Sequence, residues 1–222
     1  MESNGSQIIG FNKKGQQVPL PDLIVKSIEG VCTLDGEIIG EKLYVFDTLS
    51  FNGEDFRGRT CVERLSALHT IKFGKAIEVV KTASSREEKQ KMYDDLLKNN
   101  AEGIVFKLKN SPYTSGRPNS GGSQLKHKFY AEATFIVKDL TKGKRSVGLE
   151  LIGENGERVS VGKVTIPSNK EVPSKGDLVE VRYLYAFKGG AIFQSTYKEK
   201  RNDSDLTDAT TKQLKYKAEV EV

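Results

Sequence analysis

The sequence contains no tryptophan, few cysteines and histidines, and no long apolar run. Its two cysteines and two histidines, Cys32, Cys61, His69 and His127, are too few for a disulfide framework or a zinc cluster. No segment approaches the roughly 18 consecutive apolar residues that a membrane span requires, and the start lacks the basic and apolar regions of a signal peptide. The sequence therefore predicts a cytoplasmic protein without a membrane partner.

Charge, in contrast, is abundant. The 222 residues include 35 Lys and Arg against 30 Asp and Glu, which gives a formal net charge of +5 and a pI near 9.0. The excess is local, because nine cations and only two acids, Glu132 and Asp139, lie between residues 107 and 145. Such a segment indicates a surface that faces phosphates, with a solvated basic face as the alternative. The nine cations are Lys107, Lys109, Arg117, Lys126, Lys128, Lys138, Lys142, Lys144 and Arg145.

The first part of the chain combines helices and strands. Two capping boxes, Thr60–Glu63 and Ser85–Glu88, predict helix starts, because the hydroxyl and the carboxylate satisfy free amides of the first turn. After the first box, Val62, Leu65 and Leu68 predict the apolar stripe of that helix. Strand patterns lie around the helices at residues 30–39, 41–49, 76–83 and 101–109.

The second part of the chain changes character near Phe129. Short alternating strands follow, and Asn155-Gly156 predicts a hairpin turn between two of them. Several short strands with glycine turns fit the five-stranded OB-fold barrel better than a sandwich, which needs more strands. We therefore predict an α+β chain, with a mixed domain of antiparallel sheets at 1–129, a small all-β barrel at 130–222, and an added strand at 214–222.

Three short strings place charged side chains at the ends of predicted strands. They are Asp35 and Glu37 in TLDGEI, Glu102 and Lys107 in AEGIVFK, and Lys126 and Lys128 in QLKHKF. Residues two apart on a strand project to the same face, so TLDGEI presents two carboxylates together and QLKHKF two ammonium groups. Carboxylate oxygens suit Mg²⁺ and ammonium groups suit phosphates. The strings therefore predict a site for a divalent metal and a nucleotide.

The N-terminus predicts one strand of a hairpin. Asn4-Gly5 is a strong turn signal, and the apolar run at 8–11 after it is typical of a strand. Only Met1, Glu2 and Ser3 precede the turn, which is too few residues for a partner strand. We therefore expect an unpaired strand edge at residues 8–11.

The order and flanks of the charged strings carry a family resemblance. LDGEI, YVFD, EGIVFK, SPYTSGR and LKHKF follow one another as do the nucleotidyltransferase motifs of ATP-dependent DNA ligases, and the resemblance covers nearly the whole chain. FNKKG resembles the early basic turn of that family, and EKRNDSD resembles its Arg-x-Asp motif on the OB domain. mRNA capping enzymes and RNA ligases share a looser version of the pattern. The resemblance implies an adenylation (nucleotidyltransferase) domain at 1–129 and ATP-dependent sealing of nicks between a 5′-phosphate and a 3′-hydroxyl in duplex DNA.

The resemblance also implies which residues hold ATP, bound as AMP, and Mg²⁺. Glu37 would contact the ribose and Phe46 would stack on adenine, with a place in the core as the alternative for Phe46. Glu102 would serve the metal, and Asp35 is a second metal ligand whose alternative role is to brace its turn. The nucleotide phosphates would be held by Lys107, Lys126 and Lys128.

A further set of residues is implied to act on DNA and on the leaving group. Arg201 and Asp203 would orient pyrophosphate and complete a catalytic set with Glu102, Lys126 and Lys128. The nicked duplex would be contacted by Lys13 in the early turn and, from the basic segment, by Arg117, Lys142, Lys144 and Arg145. Such a protein would be nucleoid-associated, or would act in the host cytoplasm if it is viral.

The family's nucleophile is the lysine of a Lys-x-Asp-Gly motif, and this motif does not occur in the sequence. In the family it lies just ahead of the strand that pairs with the one entering the early basic turn, so we expect the sequence to begin one hairpin strand too late. The segment could belong to a separate partner chain or lie upstream of a misplaced start. We therefore expect a ligase fragment or split subunit that does not adenylylate itself; the alternatives are a non-catalytic nucleic-acid-binding relative and an RNA ligase.

Overall fold

The computed structural model describes residues 1–116 and 122–218, which are mostly antiparallel strands with a few helices. This confirms the predicted α+β class. The described residues form two compact units, the first from residues 1–85 with 105–126 and the second from residues 86–104 with 127–218. Among the described residues, no helix is both long and apolar enough to cross a bilayer.

The first unit is built on a seven-stranded sheet of order β3-β2-β1-β4-β5-β6, with β7 parallel to β5. Its strands are β1 Glu2–Asn4, β2 Ile8–Phe11, β3 Gln17–Val18, β4 Val31–Ile39, β5 Lys42–Phe51, β6 Glu54–Asp55 and β7 Ile77–Val79. Its helices are α1 Asp22–Val25 and α2 Cys61–Thr70.

One face of the β4–β5 pair forms the core of the first unit. Cys32 and Leu34 on β4 and Leu43 and Val45 on β5 are buried, and Leu68 of α2 packs in the same cluster. Since side chains alternate along a strand, the intervening residues of β4 project to the opposite face. The core thus fixes which side chains remain available for a site.

The expected unpaired edge at residues 8–11 is wrong. β1 pairs with β2 on one side and with β4 on the other, and β3 pairs with Gly10 and Phe11. Three residues suffice for β1 because it makes ladder hydrogen bonds to two neighbours at once. The Asn4-Gly5 turn is present, with Gly5 at φ +88°, and the Asn4 side chain accepts hydrogen bonds from the amides of Ser6 and Gln7.

The first predicted helix is present and its capping box is formed. The Thr60 side chain accepts from the Glu63 amide, and the Glu63 carboxylate accepts from the Thr60 amide at 2.8 Å. The predicted stripe is only partly right, because Val62 is exposed and the buried positions of α2 are Cys61, Arg64 and Leu68. A charged residue therefore lies on the buried face of this helix.

The second unit contains α3 and a five-stranded antiparallel sheet of order β12-β11-β10-β13-β16. The ladder of β8 with β9 contributes residues to both units. The elements are α3 Arg86–Lys98, β8 Gly103–Lys107, β9 Gln124–Lys128, β10 Ala131–Leu140, β11 Ser146–Ile152, β12 Arg158–Thr165, β13 Leu178–Tyr183, β14 Tyr185–Ala186, β15 Ile192–Phe193 and β16 Thr196–Lys200.

The five-stranded sheet curls around one apolar core that includes Phe135, Leu149, Val161 and Val181. Its edge strands β12 and β16 contact each other, but among the described residues no ladder closes them into a complete barrel. The predicted five strands are therefore present, with an open edge. The predicted C-terminal strand is wrong over 214–218, where a 3₁₀ turn at Thr211–Gln213 leads to a single bridge; residues 219–222 lie outside the described residues.

Candidate nucleotide site and nucleic-acid interface

The outer face of the β4–β5 pair carries the two carboxylates of the TLDGEI string, Asp35 and Glu37. Asp35 lies opposite Asp47, and Glu37 lies opposite Tyr44. Glu37 is exposed and Asp35 is half-buried. The two carboxylates predicted from TLDGEI therefore share a face, as the strand period requires.

Phe46 occupies an irregularity in β5. Asp35 pairs with Asp47 and Gly36 pairs with Val45, so Phe46 has no partner on β4. A bulge of this kind re-aims a side chain and is common next to functional sites. Phe46 is only half-buried, so it is not simply a core residue.

Lys107 reaches from the EGIVFK string to this bulge. Its ammonium donates to the Phe46 carbonyl at 2.9 Å and lies 3.4 Å from an Asp47 carboxylate oxygen. It also lies 5.3 Å from the centroid of the Phe46 ring, within the range of a cation–π contact. Two sequence strings that are 61 residues apart thus meet at one point, and both residues were predicted to bind the nucleotide.

A buried ion pair between Arg64 and Asp47 adjoins the contact of Lys107 with β5. The Arg64 guanidinium donates to both Asp47 carboxylate oxygens, at 2.8 and 3.1 Å, and the two side chains are 2% and 1% exposed. Burial alone would lower the pKa of Arg64, but the hydrogen bonds and charge of Asp47 outweigh it and raise that pKa. A bidentate, desolvated pair of this kind holds its geometry rigidly.

The same guanidinium organises the segment after Lys107. It donates to the Ser111 carbonyl at 3.0 Å, and the Tyr113 hydroxyl two residues further on donates to the Asp35 carboxylate at 3.0 Å. Burial, followed by the charge of Asp35, raises the pKa of Tyr113 to about 12. Asp35 is therefore held from SPYTSGR, which brings a third string to the same face.

Sequence reasoning gave no role to Asp47, Arg64 or Tyr113, although it quoted the strings that contain two of them. A signal for Arg64 existed, since it follows Cys61 by three residues and precedes Leu68 by four, at the spacing of a buried helix face. A buried arginine requires a carboxylate partner, but the spacing does not say which one.

A cleft of about 350 Å³ opens beside Asp35 and Tyr113 on the first unit. Phe11, Gly15 and Leu49 also line it, so the early basic turn and the acidic face border one cavity. Lys13 lies exposed within that turn, between β2 and β3. The volume falls in the range of small-molecule sites.

In the second unit, Glu102 and Lys128 are brought together. The Lys128 ammonium lies 3.1 Å from a Glu102 carboxylate oxygen and donates to the Gln194 side-chain oxygen at 3.1 Å. The Glu102 carbonyl accepts from the Phe129 amide at 3.0 Å, which fixes the carboxylate's backbone. Lys126 is exposed on β9, two residues before Lys128 and therefore on the same strand face.

The carboxylates predicted to hold Mg²⁺ are each engaged singly. Asp35 accepts from Tyr113, and Glu102 pairs with Lys128. Across residues 1–116 and 122–218, no three Asp, Glu, His or Cys side chains converge as a metal cage. Mg²⁺ commonly takes one or two carboxylates and completes its shell with water and substrate phosphates, so isolated carboxylates of this kind fit that ion.

The predicted Arg-x-Asp pair is formed at the end of β16. The Arg201 guanidinium donates to both carboxylate oxygens of Asp203, at 2.7 and 3.0 Å, and to Glu180 at 2.8 Å. The hydrogen bonds to Asp203 raise the pKa of Arg201, and those from Arg201 lower the pKa of Asp203. Both groups stay charged across the physiological range.

The residues predicted to contact DNA differ in their surroundings. Lys142 and Lys144 are exposed in the turn between β10 and β11. Arg145 follows them, but its guanidinium donates to the carbonyls of Pro167 at 2.9 Å and of Lys170, so it clamps a neighbouring loop. Arg117 lies outside the described residues.

Comparisons with solved structures define the class of fold. The chain is similar to a Lig E DNA ligase, described as binding DNA with a minimal scaffold, with a TM-score of 0.63 at 18% identity, over 90% of this chain and 88% of that one. It is similar to the structure named Pmar-Lig_PreS3 with a TM-score of 0.59 at 16% identity, over 87% of this chain and 58% of that one. Over most of its length the chain therefore has the fold of these ligase structures.

Sequence comparisons match part of the chain to one family. Residues 38–128 match the family described as ATP dependent DNA ligase domain. A probable DNA ligase of Saccharopolyspora erythraea (strain ATCC 11635) is 28% identical over 103 residues, which are 46% of this chain and 20% of that protein. The matched region thus spans about a fifth of the curated relative. Over residues 38–128 the chain is therefore similar to the ATP dependent DNA ligase domain, as its motifs predict.

Proposed function

We propose that this protein seals nicks in duplex DNA through adenylylated intermediates, using ATP and Mg²⁺. The adenylation domain would comprise residues 1–129 and the OB domain residues 130–222. The observation that carries the proposal is the meeting of Lys107 with the Phe46–Asp47 segment, which assembles two motifs of the matched family region on one face. The protein would act on cellular DNA at the nucleoid, or in the host cytoplasm if it is viral.

The nucleotide would lie against the outer face of β4 and β5. Glu37 is exposed there and can accept hydrogen bonds from ribose hydroxyls, while Phe46 offers a half-buried ring to a base. Lys107 would bring positive charge to the phosphates, although Asp47 already neutralises part of it. Asp35 keeps its place through Tyr113.

The phosphate chemistry would involve Glu102, Lys126 and Lys128. The two lysines share one strand face and can offset the charge that accumulates on an α-phosphate in the transition state. Glu102 in the second unit and Asp35 in the first are each proposed as carboxylate ligands of Mg²⁺, which supplies charge neutralisation to the phosphate oxygens. Arg201 and Asp203 would orient the pyrophosphate. For this, the Arg201 guanidinium would release a carboxylate partner and bind a phosphate in its place.

We propose no nucleophile of self-adenylylation within this sequence, because the 222 residues contain no Lys-x-Asp-Gly string. We expect that incubation with ATP labelled at the α-phosphate leaves no covalent label on this chain alone. Retained label would contradict this assignment and would call for mapping of the modified residue.

The test of ligation starts from a nick that already carries the 5′-adenylate, because the last step needs no nucleophilic lysine. With Mg²⁺ we expect this chain to seal the nick, and Glu102→Gln to slow sealing by about 10²-fold or more, as for loss of one group that stabilises transition-state charge. Glu154→Gln is the matched control, since Glu154 is exposed in a turn of the same unit.

Absence of sealing by the unaltered chain would favour a second function, a non-catalytic clamp on nucleic acid. The engagement of Lys128 by Glu102 and of Arg201 by Asp203 is the observation that favours it, because both cations already have carboxylate partners. Replacement of the strand bearing the 3′-hydroxyl by RNA in the same assay separates DNA ligation from an RNA ligase: faster sealing of the RNA strand would support the latter.

A further inference from the structure

An exposed aromatic cluster lies on the second unit and has no part in the proposed chemistry. Tyr185 on β14 and Phe193 on β15 stack at 5.2 Å with an interplanar angle of 21°, and Phe187 meets Tyr185 edge-on at 5.4 Å. Tyr185 is buried beneath, whereas Phe187 and Phe193 are 42% and 37% exposed. We call these three residues the aromatic platform.

The platform is held rigidly. The amide of Phe187 donates to the Ala191 carbonyl at 2.8 Å, and the amide of Gly190 donates to the Phe187 carbonyl at 2.9 Å. Gly189 and Gly190 adopt φ of +93° and +92°, conformations that glycine reaches without strain and that close this tight turn. A platform that is already ordered loses little conformational entropy when a ligand binds to it.

The surroundings of the platform are positively charged. Residues 181–198 and 209–218 carry six cations and no acid, and Glu180, Glu199 and Asp208 directly flank these segments. The backbone around Tyr216 joins β14, since Lys217 donates to the Ala186 carbonyl at 2.8 Å, and the Lys217 ammonium lies 5.5 Å from the Tyr185 ring. Lys198 pairs with Glu132 and Lys215 donates to the carbonyls of Ala101 and Phe129, which leaves Lys217 as the cation that contacts the platform directly among the described contacts. The six cations are Arg182, Lys188, Lys198, Lys212, Lys215 and Lys217.

Acidic side chains near this surface already have cationic partners. Glu102 pairs with Lys128, and Glu132 pairs with Lys198 at 3.6 Å. Lys128 is in turn bound by Gln194, the residue directly after the platform's Phe193. The platform thus adjoins the Glu102–Lys128 pair within one unit, and the Lys217 ammonium beside Tyr185 offers positive charge to a phosphate.

We propose that the aromatic platform binds unpaired nucleobases of DNA next to a strand break, with bases stacked on Phe187 and Phe193 and phosphates facing the surrounding cations. Exposed aromatic rings in a basic groove bind single strands in this way, because every base has a π-face and stacking tolerates any sequence. The proposal rests on the proposed function in one respect, that DNA is the substrate. It goes beyond it by assigning a site for single-stranded ends.

The experiment compares two labelled oligodeoxynucleotides of equal length, one with bases and one abasic, by fluorescence anisotropy. Both carry the same phosphates, so their affinity ratio isolates the contribution of the bases. We expect the unaltered chain to prefer the base-bearing strand by about 5- to 150-fold per stacked base. Phe187→Leu with Phe193→Leu keeps apolar volume, removes the π-faces, and should reduce that ratio to near one.

Leu140→Ala is the matched control, because Leu140 is an exposed apolar side chain of the same unit, 53% exposed and away from the platform in sequence. It should leave the affinity ratio unchanged. An equal affinity of the unaltered chain for both oligonucleotides would overturn the proposal, and so would an unchanged ratio in the double variant. A dimer that the double variant dissociates, without any base preference, would assign the platform to self-association instead.

Nicked-duplex binding and sealing of the pre-adenylylated nick are measured on the same variants. Sealing with no base preference would refute the platform and leave the ligase proposal standing. A base preference that depends on Phe187 and Phe193, in a chain that does not seal, would support the platform and contradict ligation.

Discussion

The two units hold their charged groups in opposite ways. In the first, Arg64 and Asp47 are almost fully buried and bind each other through two hydrogen bonds. In the second, Lys128 pairs with Glu102, whose side chain is 54% exposed. Burial strengthens an ion pair and also makes its loss costly, whereas an exposed pair is worth about 0–1 kcal/mol.

The difference indicates what each pair can do. Arg64 cannot exchange Asp47 for another anion without leaving a buried carboxylate unpaired, so this pair acts as scaffold. Lys128 can exchange Glu102 for a phosphate at little cost, because water solvates the released carboxylate. The first unit therefore positions side chains, and the second presents groups that are available for exchange.

The largest expected effect comes from breaking the buried pair. Arg64→Leu should lower the free energy of unfolding by about 3–5 kcal/mol, because among the described residues it leaves the buried Asp47 with Lys107 as its remaining ion-pair partner and the Thr48 amide as a hydrogen-bond donor. Urea denaturation measures this change. Arg59→Leu is the control, since Arg59 pairs with Glu54 at the surface and should cost less than about 1 kcal/mol. Similar losses in the two variants would mean that burial does not distinguish them.

A smaller effect is expected at the hydroxyl that holds Asp35. At neutral pH, Tyr113→Phe should lower the free energy of unfolding by about 1–2 kcal/mol, because the half-buried carboxylate loses a donor. The pKa of Tyr113 is raised from 10 to about 12 in the folded state, so the stability it contributes is present below pH 10 and is lost as the pH rises through 12.

The advantage of the native chain over Tyr113→Phe should therefore shrink between pH 10 and pH 12, in urea titrations of both proteins. Tyr44→Phe serves as the control, since Tyr44 lies opposite Glu37 on the same sheet face. A constant difference between native and Tyr113→Phe across this window would show that the hydroxyl does not ionise there.

The local patterns predicted most of the fold and the motifs. The capping box at Thr60–Glu63, the alternation along β4 and the turn at Asn155-Gly156 depend on neighbours in sequence, and the structure shows all three. Errors arose where distant segments decide the outcome. β1 is stable because β2 and β4 flank it, which no property of Met1–Asn4 reveals.

In the candidate site, too, the features that depend on neighbours in sequence were predicted, and those that depend on distant segments were not. Strand period placed Asp35 and Glu37 on one face, but the bulge at Phe46 and the contact of Tyr113 with Asp35 depend on strand register and on a residue 78 positions away. Arg145 shows a contact that charge does not reveal: its guanidinium donates to carbonyls of the loop at 166–170, while its contact with DNA stays a prediction. The charges in a sequence predict the sign of the electrostatic potential at a surface. The packed structure shows which of the cations hydrogen-bond to other groups of the protein.

The smallest expected effect tests the exposed cations that remain available. Replacement of both Lys142 and Lys144 by glutamine should reduce the slope of log Kobs against log salt for duplex DNA by about 0.9 per lost phosphate contact, while stability stays within about 0.5 kcal/mol. Lys89→Gln with Lys91→Gln on α3 removes equal charge from another exposed surface and is the matched control. Equal reductions of the slope in the two double variants would mean that the net charge of the protein, and not the β10–β11 turn, governs DNA binding. The exposed cations of this turn would then have no DNA-binding role of their own.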